Sequence, residues 1–273
     1  MLQKILLILF ISLPFSETIG QVTHALPNGH AHNDYEKSWP ALTTALSKGF
    51  VSIEIDVFPY QNELKVAHIG FLLGTAPDIE NLYFKPLEAW LAKHETLFLD
   101  TTQRLTFMID IKKDAARTYV LLRALCERYK HLITTYYPQQ DSISYGVLDL
   151  LLSGNKPYEQ VMNDSVRYML IDGGLGEINH ATRTAAIAPR VSARYGSLFT
   201  WKGTGEMPAN ERTRLRKMVA TAHTDHRKLR FWGMPNKPIV WKFLLDEGVD
   251  WMNVDDLEAY RTFYLQYKLN KNK

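Results

Sequence analysis

Residues 50–57 read FVSIEIDV, and this stretch decides the fold. Glu54 and Asp56 are two positions apart in an apolar strand, so both side chains point to one face of it. Ile55 and its apolar neighbours fill the other face. Two carboxylates buried side by side cost free energy unless a cation neutralises them. The stretch therefore predicts a buried strand that carries a cation site, unless its acidic residues face solvent or cap helices instead.

Similar β-like runs lie along the whole chain and alternate with amphipathic helical stretches. The other predicted strands are a short run just before His32 and residues 105–111, 143–151, 168–171, 187–192, 229–232 and 251–254. This alternation is typical of a parallel sheet flanked by helices. About eight strands over roughly 250 residues favour a closed barrel over an open sheet, and no Gly-rich dinucleotide fingerprint follows an early strand. We expect an α/β fold, a (β/α)8 TIM barrel, as a single domain over residues 21–273.

One helix near the end of the chain has clear start and stop signals. Asn236 is suited to the N-cap, Pro238 to the first turn and Gly248 to the position just past the end. These signals predict a helix within residues 236–248.

The first twenty residues form a separate segment. Lys4 precedes a nearly unbroken apolar run at residues 5–15, and small residues lead to Gly20. This order predicts a secretory signal peptide over residues 1–20, cleaved after Gly20, although a buried N-terminal helix is the alternative. The run is too short to span a bilayer, and no later segment is apolar enough to do so. We expect a protein exported to the periplasm or secreted.

Composition excludes several classes of function. The chain has 273 residues, 46% of them hydrophobic, and a formal net charge of +3. It has no basic stripe with interleaved aromatic residues, so nucleic-acid binding is not expected. Cys126 is the only cysteine, which rules out an intramolecular disulfide. It shares a helical face with Leu122 and Leu125, so we expect it in the core. Nothing in the sequence indicates a protein partner.

A third carboxylate extends the predicted cation site. Met108, Asp110 and Lys112 share one face of the strand at 105–111, which ends there. Asp110 can bind the same ion as the pair on the first strand, and Lys112 can meet a phosphate. Carboxylate ligands suit Mg²⁺ or Ca²⁺ better than zinc.

Two histidines bracket the acidic strand. His32 precedes it and His68 follows it. Cleavage of a P–O bond needs a proton taken from the nucleophile and one given to the leaving oxygen, and imidazole suits both tasks near neutral pH. His32 and His68 are therefore the candidate catalytic residues.

These motifs resemble those of a known superfamily. The residues that carry the resemblance are His32, Glu54-Ile55-Asp56, His68 and Asp110-Ile111-Lys112. They are similar to the motifs of the glycerophosphodiester phosphodiesterase and phosphatidylinositol-specific phospholipase C-like superfamily. The chain most resembles the branch of altered inheritance of mitochondria protein 6, through His32-Asn33-Asp34-Tyr35, Ala222-His223, Arg230-Phe231-Trp232 and residues 253–257.

The resemblance implies a (β/α)8 barrel with one divalent ion, Mg²⁺ or Ca²⁺, and a glycerophosphodiester or phospholipid-type head group as substrate. Glu54, Asp56 and Asp110 would then bind the ion, with His32 as base and His68 as acid. The sequence departs from typical glycerophosphodiesterases after the first histidine, where Asn33 replaces an Arg and a Pro-Glu-Asn stretch is missing. The third ligand is also often Glu in the superfamily. Recognition of glycerol itself is therefore not predicted.

Several polar and aromatic residues at predicted strand ends are candidates for substrate binding. They are Asn33, Lys112, Asn155, Trp201, Arg230 and Trp232, with Asp172 and Asn253 nearby in the predicted arrangement. A basic side chain with aromatic neighbours can hold a phosphate and a head group. Singly, most of these residues are as well explained by packing or capping.

Two rival functions remain open at this point. His30 and His32 have the His-x-His form of zinc-dependent amidohydrolases, but His180 and His223, which would have to complete that site, fall in apparent helical stretches. The second rival is a barrel that binds a phosphate ligand without catalysis. Two proton-transfer groups argue against it, since a pure binder does not need them.

Overall fold

The computed structural model describes residues 21–271, and the predicted signal peptide at residues 1–20 lies outside them. The strands of this part are β1 (Leu26–Ala31), β2 (Phe50–Tyr60), β3 (Glu63–Val66), β4 (Leu105–Ile111), β5 (Thr135–Tyr137), β6 (Ser142–Ser144), β7 (Leu148–Gly154), β8 (Met169–Gly174), β9 (Arg190–Arg194), β10 (Lys228–Trp232) and β11 (Trp251–Val254). Eight of them are parallel, in the order β1-β11-β10-β9-β8-β7-β4-β2, and β1 also pairs with β2. That pairing closes a barrel and confirms the predicted TIM-barrel fold.

Helices cover the outside of this barrel. They are α1 (Asp34–Lys37), α2 (Ala41–Ser47), α3 (Lys85–His94), α4 (Ala115–Arg128), α5 (Tyr158–Asn163), α6 (Ala209–Thr224), α7 (Pro238–Asp246) and α8 (Leu257–Lys271). A π-helical turn at Glu80–Phe84 leads into α3, and only a 3-10 turn at Leu175–Glu177 follows β8. Within residues 21–271, no helix is long and apolar enough to cross a membrane.

The hydrophobic core lies mainly between the barrel and the helices. Outward-facing strand residues such as Ile53 and Ile55 are fully buried there, as is Cys126 on α4. A small apolar cluster, formed by Met108, Leu151 and Leu170 with Tyr136 packed against it, lies inside the barrel. The inner positions nearer the carboxyl ends of the strands are polar. The barrel therefore presents its chemistry at that end, which we call the mouth.

The limits predicted for the strand at residues 143–151 were wrong. The barrel strand is β7, while Ile143 belongs to β6, which forms a separate hairpin with β5. Between β6 and β7, Gly146 packs against the backbone at Leu132 and Ile133, too closely for a side chain. This contact interrupts the apolar run and divides it between two sheets.

Two other predicted boundaries also shifted. The strand expected at residues 187–192 begins at Arg190, directly after Pro189, which has no N–H to donate to a sheet. The N-cap of α7 is Lys237 and not Asn236. The side chain of Asn236 instead binds Asp255, with its Nδ2 2.6 Å from Oδ2 and its Oδ1 accepting from the backbone N–H.

A hairpin carries the chain beyond the barrel rim and back. β2 continues past Val57 to Tyr60, and β3 returns antiparallel to it, with Val57 opposite Val66. The N–H of Ala67 then donates to the carbonyl of Asp56 at 3.2 Å. The hairpin therefore delivers His68 to the level of the acidic residues on β2.

Asp34 opens α1 and is fully buried, and the hydroxyl of Tyr83 donates a hydrogen bond to its Oδ1. Burial raises the pKa of this carboxyl from 3.8 to about 7. Between about pH 4 and pH 7 the folded protein holds a proton that the unfolded chain releases, so we expect stability to fall as pH rises through that window. Asp34→Asn cannot ionise and should flatten this fall in urea unfolding. An equally steep fall in the variant would contradict the assignment.

Candidate active site

Three carboxylates meet at the mouth of the barrel. Glu54 and Asp56 lie on β2, and Asp110 lies on β4 directly opposite Asp56 in the parallel register. One oxygen from each of the three lies within 4.8 Å of the others. Glu54 and Asp56 are buried, so the alternative in which they face solvent is wrong. This group could hold a metal ion.

Unpaired oxygens at this point fit a hard cation. Oδ1 of Asp110 and Oδ1 of Asn33 are buried and accept no hydrogen bond. Oδ1 of Asp56 lies 3.1 Å from the ammonium of Lys112, and this ammonium also lies 2.8 Å from Oδ2 of Asp110. Buried oxygens without a donor are rare in folded proteins, and Mg²⁺ and Ca²⁺ prefer such ligands. Asn33, predicted to bind substrate, therefore also offers a ligand atom.

The electrostatics of Asp56 agree with that fit. Burial raises the pKa of Asp56, the positive charge of Lys112 opposes the rise, and the negative charges of Asp110 and Glu54 add to it. A carboxylate whose ionised form is disfavoured in this way gains stability when a cation binds beside it.

A buried network of hydrogen bonds holds the carboxylate of Glu54 in place. Arg230 donates to it, and Nε2 of His30 lies 3.1 Å from Oε2, while Nδ1 of His30 lies 2.7 Å from the hydroxyl of Ser52. Burial acts to raise the pKa of Glu54, but the charge of Arg230 and the hydrogen bond to His30 hold it well below its usual range. Burial and Arg230 lower the pKa of His30 well below its ordinary value, which favours the neutral imidazole.

Arg230 lies deeper than the rim position expected for a substrate-binding residue. It is buried inside the barrel, where it donates to Glu54 and to Oδ1 of Asn253 and lies 3.7 Å from Asp172. Its guanidinium is therefore committed to carboxylates and an amide of the protein. The geometry makes Arg230 a support for Glu54, and its predicted contact with substrate remains untested.

The two predicted catalytic histidines are each held by a carboxylate. Nδ1 of His32 lies 2.8 Å from Oδ1 of Asp255, and Nδ1 of His68 lies 2.8 Å from Oδ2 of Asp56. Lys37 also donates to Asp255. The hydrogen bond to His32, helped by Lys37 and opposed by burial, lowers the pKa of Asp255 to about 2, so it is ionised. Both rings are anchored through Nδ1, which leaves Nε2 available for proton transfer.

The remaining substrate candidates are placed differently from one another. Asn155 donates from Nδ2 to the carbonyl of Lys112 at 3.0 Å and so steadies the end of β4. Trp201 is buried, and its indole N–H donates to the carbonyl of Gly205. Trp232 is exposed at the end of β10. Of these three, only Trp232 is exposed, and the guanidinium of Arg194 lies 5.8 Å from the centre of its ring. The contacts of all three with substrate stay predictions.

Sequence reasoning missed the role of Asp255. It was noted only as part of the run at residues 253–257, although a carboxylate directly after the last strand is the available signal. Its contact with His32 joins residues 223 positions apart, and only the closure of β11 against β1 brings them together.

The geometry gives no support to the zinc alternative. Both ring nitrogens of His30 are engaged, by Ser52 and Glu54. His223 is paired with Asp250, which precedes β11 and so lies at the end of the barrel opposite the mouth. Within the described range, the one group that could hold a metal ion consists of carboxylates alone.

Comparisons with known proteins agree with this geometry. A model of the AIM6-like phosphodiesterase domain matches residues 21–172. The altered inheritance of mitochondria protein 6 homolog of Arthroderma benhamiae is 29% identical over 262 residues, which cover 86% of this chain and 83% of the relative. Altered inheritance of mitochondria protein 6 of Eremothecium gossypii is 27% identical over 289 residues, covering 92% and 73%.

The fold is similar to that of a solved enzyme. The crystal structure of glycerophosphodiester phosphodiesterase from Agrobacterium tumefaciens superimposes with a TM-score of 0.54 over 87% of this chain and 99% of that chain, at 11% sequence identity. That likeness concerns the barrel alone. The family match over residues 21–172 includes both histidines and all three carboxylates. It confirms the resemblance that the motifs indicate. The chain therefore belongs to the AIM6-like phosphodiesterase domain family.

Proposed function

We propose that the protein is a metal-dependent phosphoric diester hydrolase that acts on a glycerophosphodiester or a phospholipid-type head group. The observation that carries this proposal is a carboxylate cluster flanked by two histidines, each anchored to a carboxylate through Nδ1. A site that only bound phosphate would not need two oriented proton carriers.

In this proposal one divalent cation, Mg²⁺ or Ca²⁺, is held by Glu54, Asp56 and Asp110, with Oδ1 of Asn33 as a further oxygen. When bound, such an ion supplies charge that polarises the phosphoryl oxygens and orients the diester. Lys112 lies between two of the carboxylates and can turn its ammonium to the phosphate. The buried Arg230 keeps Glu54 ionised and fixed in place for its ligand role.

His32 acts as the general base and His68 as the general acid. Asp255 accepts the Nδ1 proton of His32 and holds the ring in the tautomer whose Nε2 can take a proton from the attacking hydroxyl. Asp56 orients the ring of His68 through Nδ1, and Nε2 of that ring gives a proton to the leaving oxygen. Each ring thus works with a carboxylate that orients it.

The test is hydrolysis of bis(p-nitrophenyl) phosphate by the purified protein. We expect turnover to disappear with EDTA and to return when Mg²⁺ or Ca²⁺ is added back, because the carboxylate cluster needs a hard cation. Added Zn²⁺ is the comparison that addresses the amidohydrolase alternative. A folded protein with no turnover on any ion would instead favour a barrel that binds its ligand without catalysis.

A further inference from the structure

An apolar loop projects at the mouth of the barrel, directly after His68. Residues 69–77, here called the mouth loop, read IGFLLGTAP and contain no charged side chain. Ile69, Phe71 and Leu72 are 67%, 77% and 65% exposed. Leu72 also has a φ of +63°, a conformation that leucine rarely adopts and that turns usually give to Gly or Asn. A solvated turn would carry polar residues at these positions.

The mouth loop stands beside the predicted catalytic centre. Its glycines pack against Phe58 and Tyr60, which continue β2 beyond the barrel rim. The N–H of Val66 donates to the carbonyl of Pro77 at 2.8 Å, and this bond closes the segment that contains His68 and the mouth loop. The loop therefore extends outward from the rim, and its first residue follows a proposed proton donor.

Other exposed apolar side chains lie around the same end of the barrel. Trp39 follows α1, Trp232 ends β10 and Ile239 lies in the first turn of α7. Parallel strands all end at the mouth, so residues that end strands or begin helices border it. Trp232 lies on β10 and the mouth loop follows the β2–β3 hairpin, so the two lie on opposite sides of β1, which leads to His32.

We propose that the mouth loop inserts into the surface of a lipid bilayer, so that the site takes its phosphodiester from membrane lipids in place. This inference rests on the proposed function, because it names a bilayer lipid as the class of substrate. An uncharged, projecting loop suits the apolar interior of a bilayer, and tryptophans suit the boundary between head groups and acyl chains. A head group held at that boundary lies next to His68 when the loop is inserted.

The chemistry of the loop argues for a bilayer over a water-soluble substrate. Phe71 and Leu72 are 77% and 65% exposed, so these side chains meet solvent and do not surround a small ligand. The loop also lacks the charges that would select one protein partner. Because its contacts are apolar, docking should occur on neutral phosphatidylcholine vesicles and persist at high salt, where electrostatic attraction is screened.

The first experiment is co-sedimentation with phosphatidylcholine vesicles, with EDTA present to keep turnover from altering the lipid. The variant carries Phe71→Ser and Leu72→Asn, since asparagine tolerates the left-handed conformation of residue 72. We expect vesicle binding to weaken by about tenfold or more, because two apolar side chains no longer leave water. Leu265→Gln with Leu269→Gln is the matched control, on the outer face of α8 away from the mouth, and should bind like the original protein.

Hydrolysis of bis(p-nitrophenyl) phosphate by the same proteins separates this inference from the proposed function. Vesicle binding without hydrolysis would contradict the proposed hydrolase activity and support the mouth loop as a docking surface. Hydrolysis without vesicle binding, or equal binding by the mouth-loop variant, would overturn the docking surface. A dimer of the original protein that the variant converts to a monomer, together with no vesicle binding, would also overturn it and assign the loop to a second copy of the chain.

A dye attached to the loop gives an independent measurement. Cys126 is fully buried, so a cysteine introduced as Phe71→Cys can be labelled with an environment-sensitive fluorophore. We expect a blue shift on addition of vesicles at residue 71 and none in the control Leu269→Cys. No shift at residue 71 on vesicles that bind the protein would overturn the proposed mode of docking.

Discussion

Asp56→Asn is expected to abolish both divalent-cation binding and turnover of a phosphodiester. Asp56 is the central carboxylate, since it lies opposite Asp110, contacts Lys112 and holds His68. Asparagine keeps the size and can still accept from the imidazole, so the fold should survive. We expect the affinity for the cation to fall by at least about 100-fold. Replacement of a residue that only hydrogen-bonds to a metal ligand already costs up to about 100-fold, and Asp56 is a proposed ligand itself. Titration calorimetry and the hydrolysis assay measure the two effects.

The matched control is Asp149→Asn, which makes the same change near the opposite end of the barrel. Asp149 lies at the start of β7 and pairs with Arg104, away from the mouth. We expect unchanged cation binding and turnover in this variant. Glu54 is a poorer choice for the same test, because its loss would remove the carboxylate that Arg230 donates to inside the barrel. Breaking a buried ion pair in this way costs about 3–5 kcal/mol of stability. Normal cation binding by Asp56→Asn would remove the carboxylate cluster as a metal site.

His68→Ala is expected to keep the cation and lose most of the rate. The side chain is half exposed, and it contacts the site through Oδ2 of Asp56 at 2.8 Å and Nδ2 of Asn33 at 3.2 Å. Both of these residues stay bound to their other neighbours, so removal of the imidazole should leave the ligands in place. On a diester with an alkyl leaving group, the rate should fall on the order of 100-fold or more, as for other groups that transfer protons in a transition state. Steady-state kinetics at saturating cation measure it, and cation affinity serves as the internal control.

The leaving group distinguishes the acid from the base. A p-nitrophenolate leaves readily without a proton, whereas an alkoxide does not. We therefore expect His68→Ala to reduce the rate much more on a diester with an alkyl leaving group than on bis(p-nitrophenyl) phosphate. His32→Ala should reduce the rate equally on both substrates. The opposite pattern would exchange the two roles, and an unchanged rate in His68→Ala would exclude His68 from the mechanism.

Local spacing was enough to predict much of the fold and the acidic part of the site. The period of a strand puts Glu54 and Asp56 on one face, and the same rule applied to β4 selects Asp110. Strand–helix alternation then leads to the barrel and to the end at which these residues meet. Each of these inferences depends on residues that are close together in sequence.

Contacts between distant parts of the chain could not be predicted in this way. Arg230 and Glu54 are 176 positions apart, and a rim arginine and an arginine that supports a carboxylate look the same in sequence. Asp255 reaches His32 only through the closure of the barrel. The limits of β7 likewise depend on where Gly146 meets the backbone of another segment. Register and closure are tertiary properties, and they decide what each of these side chains touches.

The β2–β3 hairpin fixes the position of His68 independently of the mouth loop that follows it. The pairing of β3 with β2 leads the chain to His68, and the hydrogen bond from Val66 to Pro77 closes the segment that contains His68 and the mouth loop. A loop closed at its base can change in length and composition at small entropic cost. We therefore expect changes in the length and composition of the mouth loop to leave His68 in place, because the pairing of β3 with β2 positions that residue.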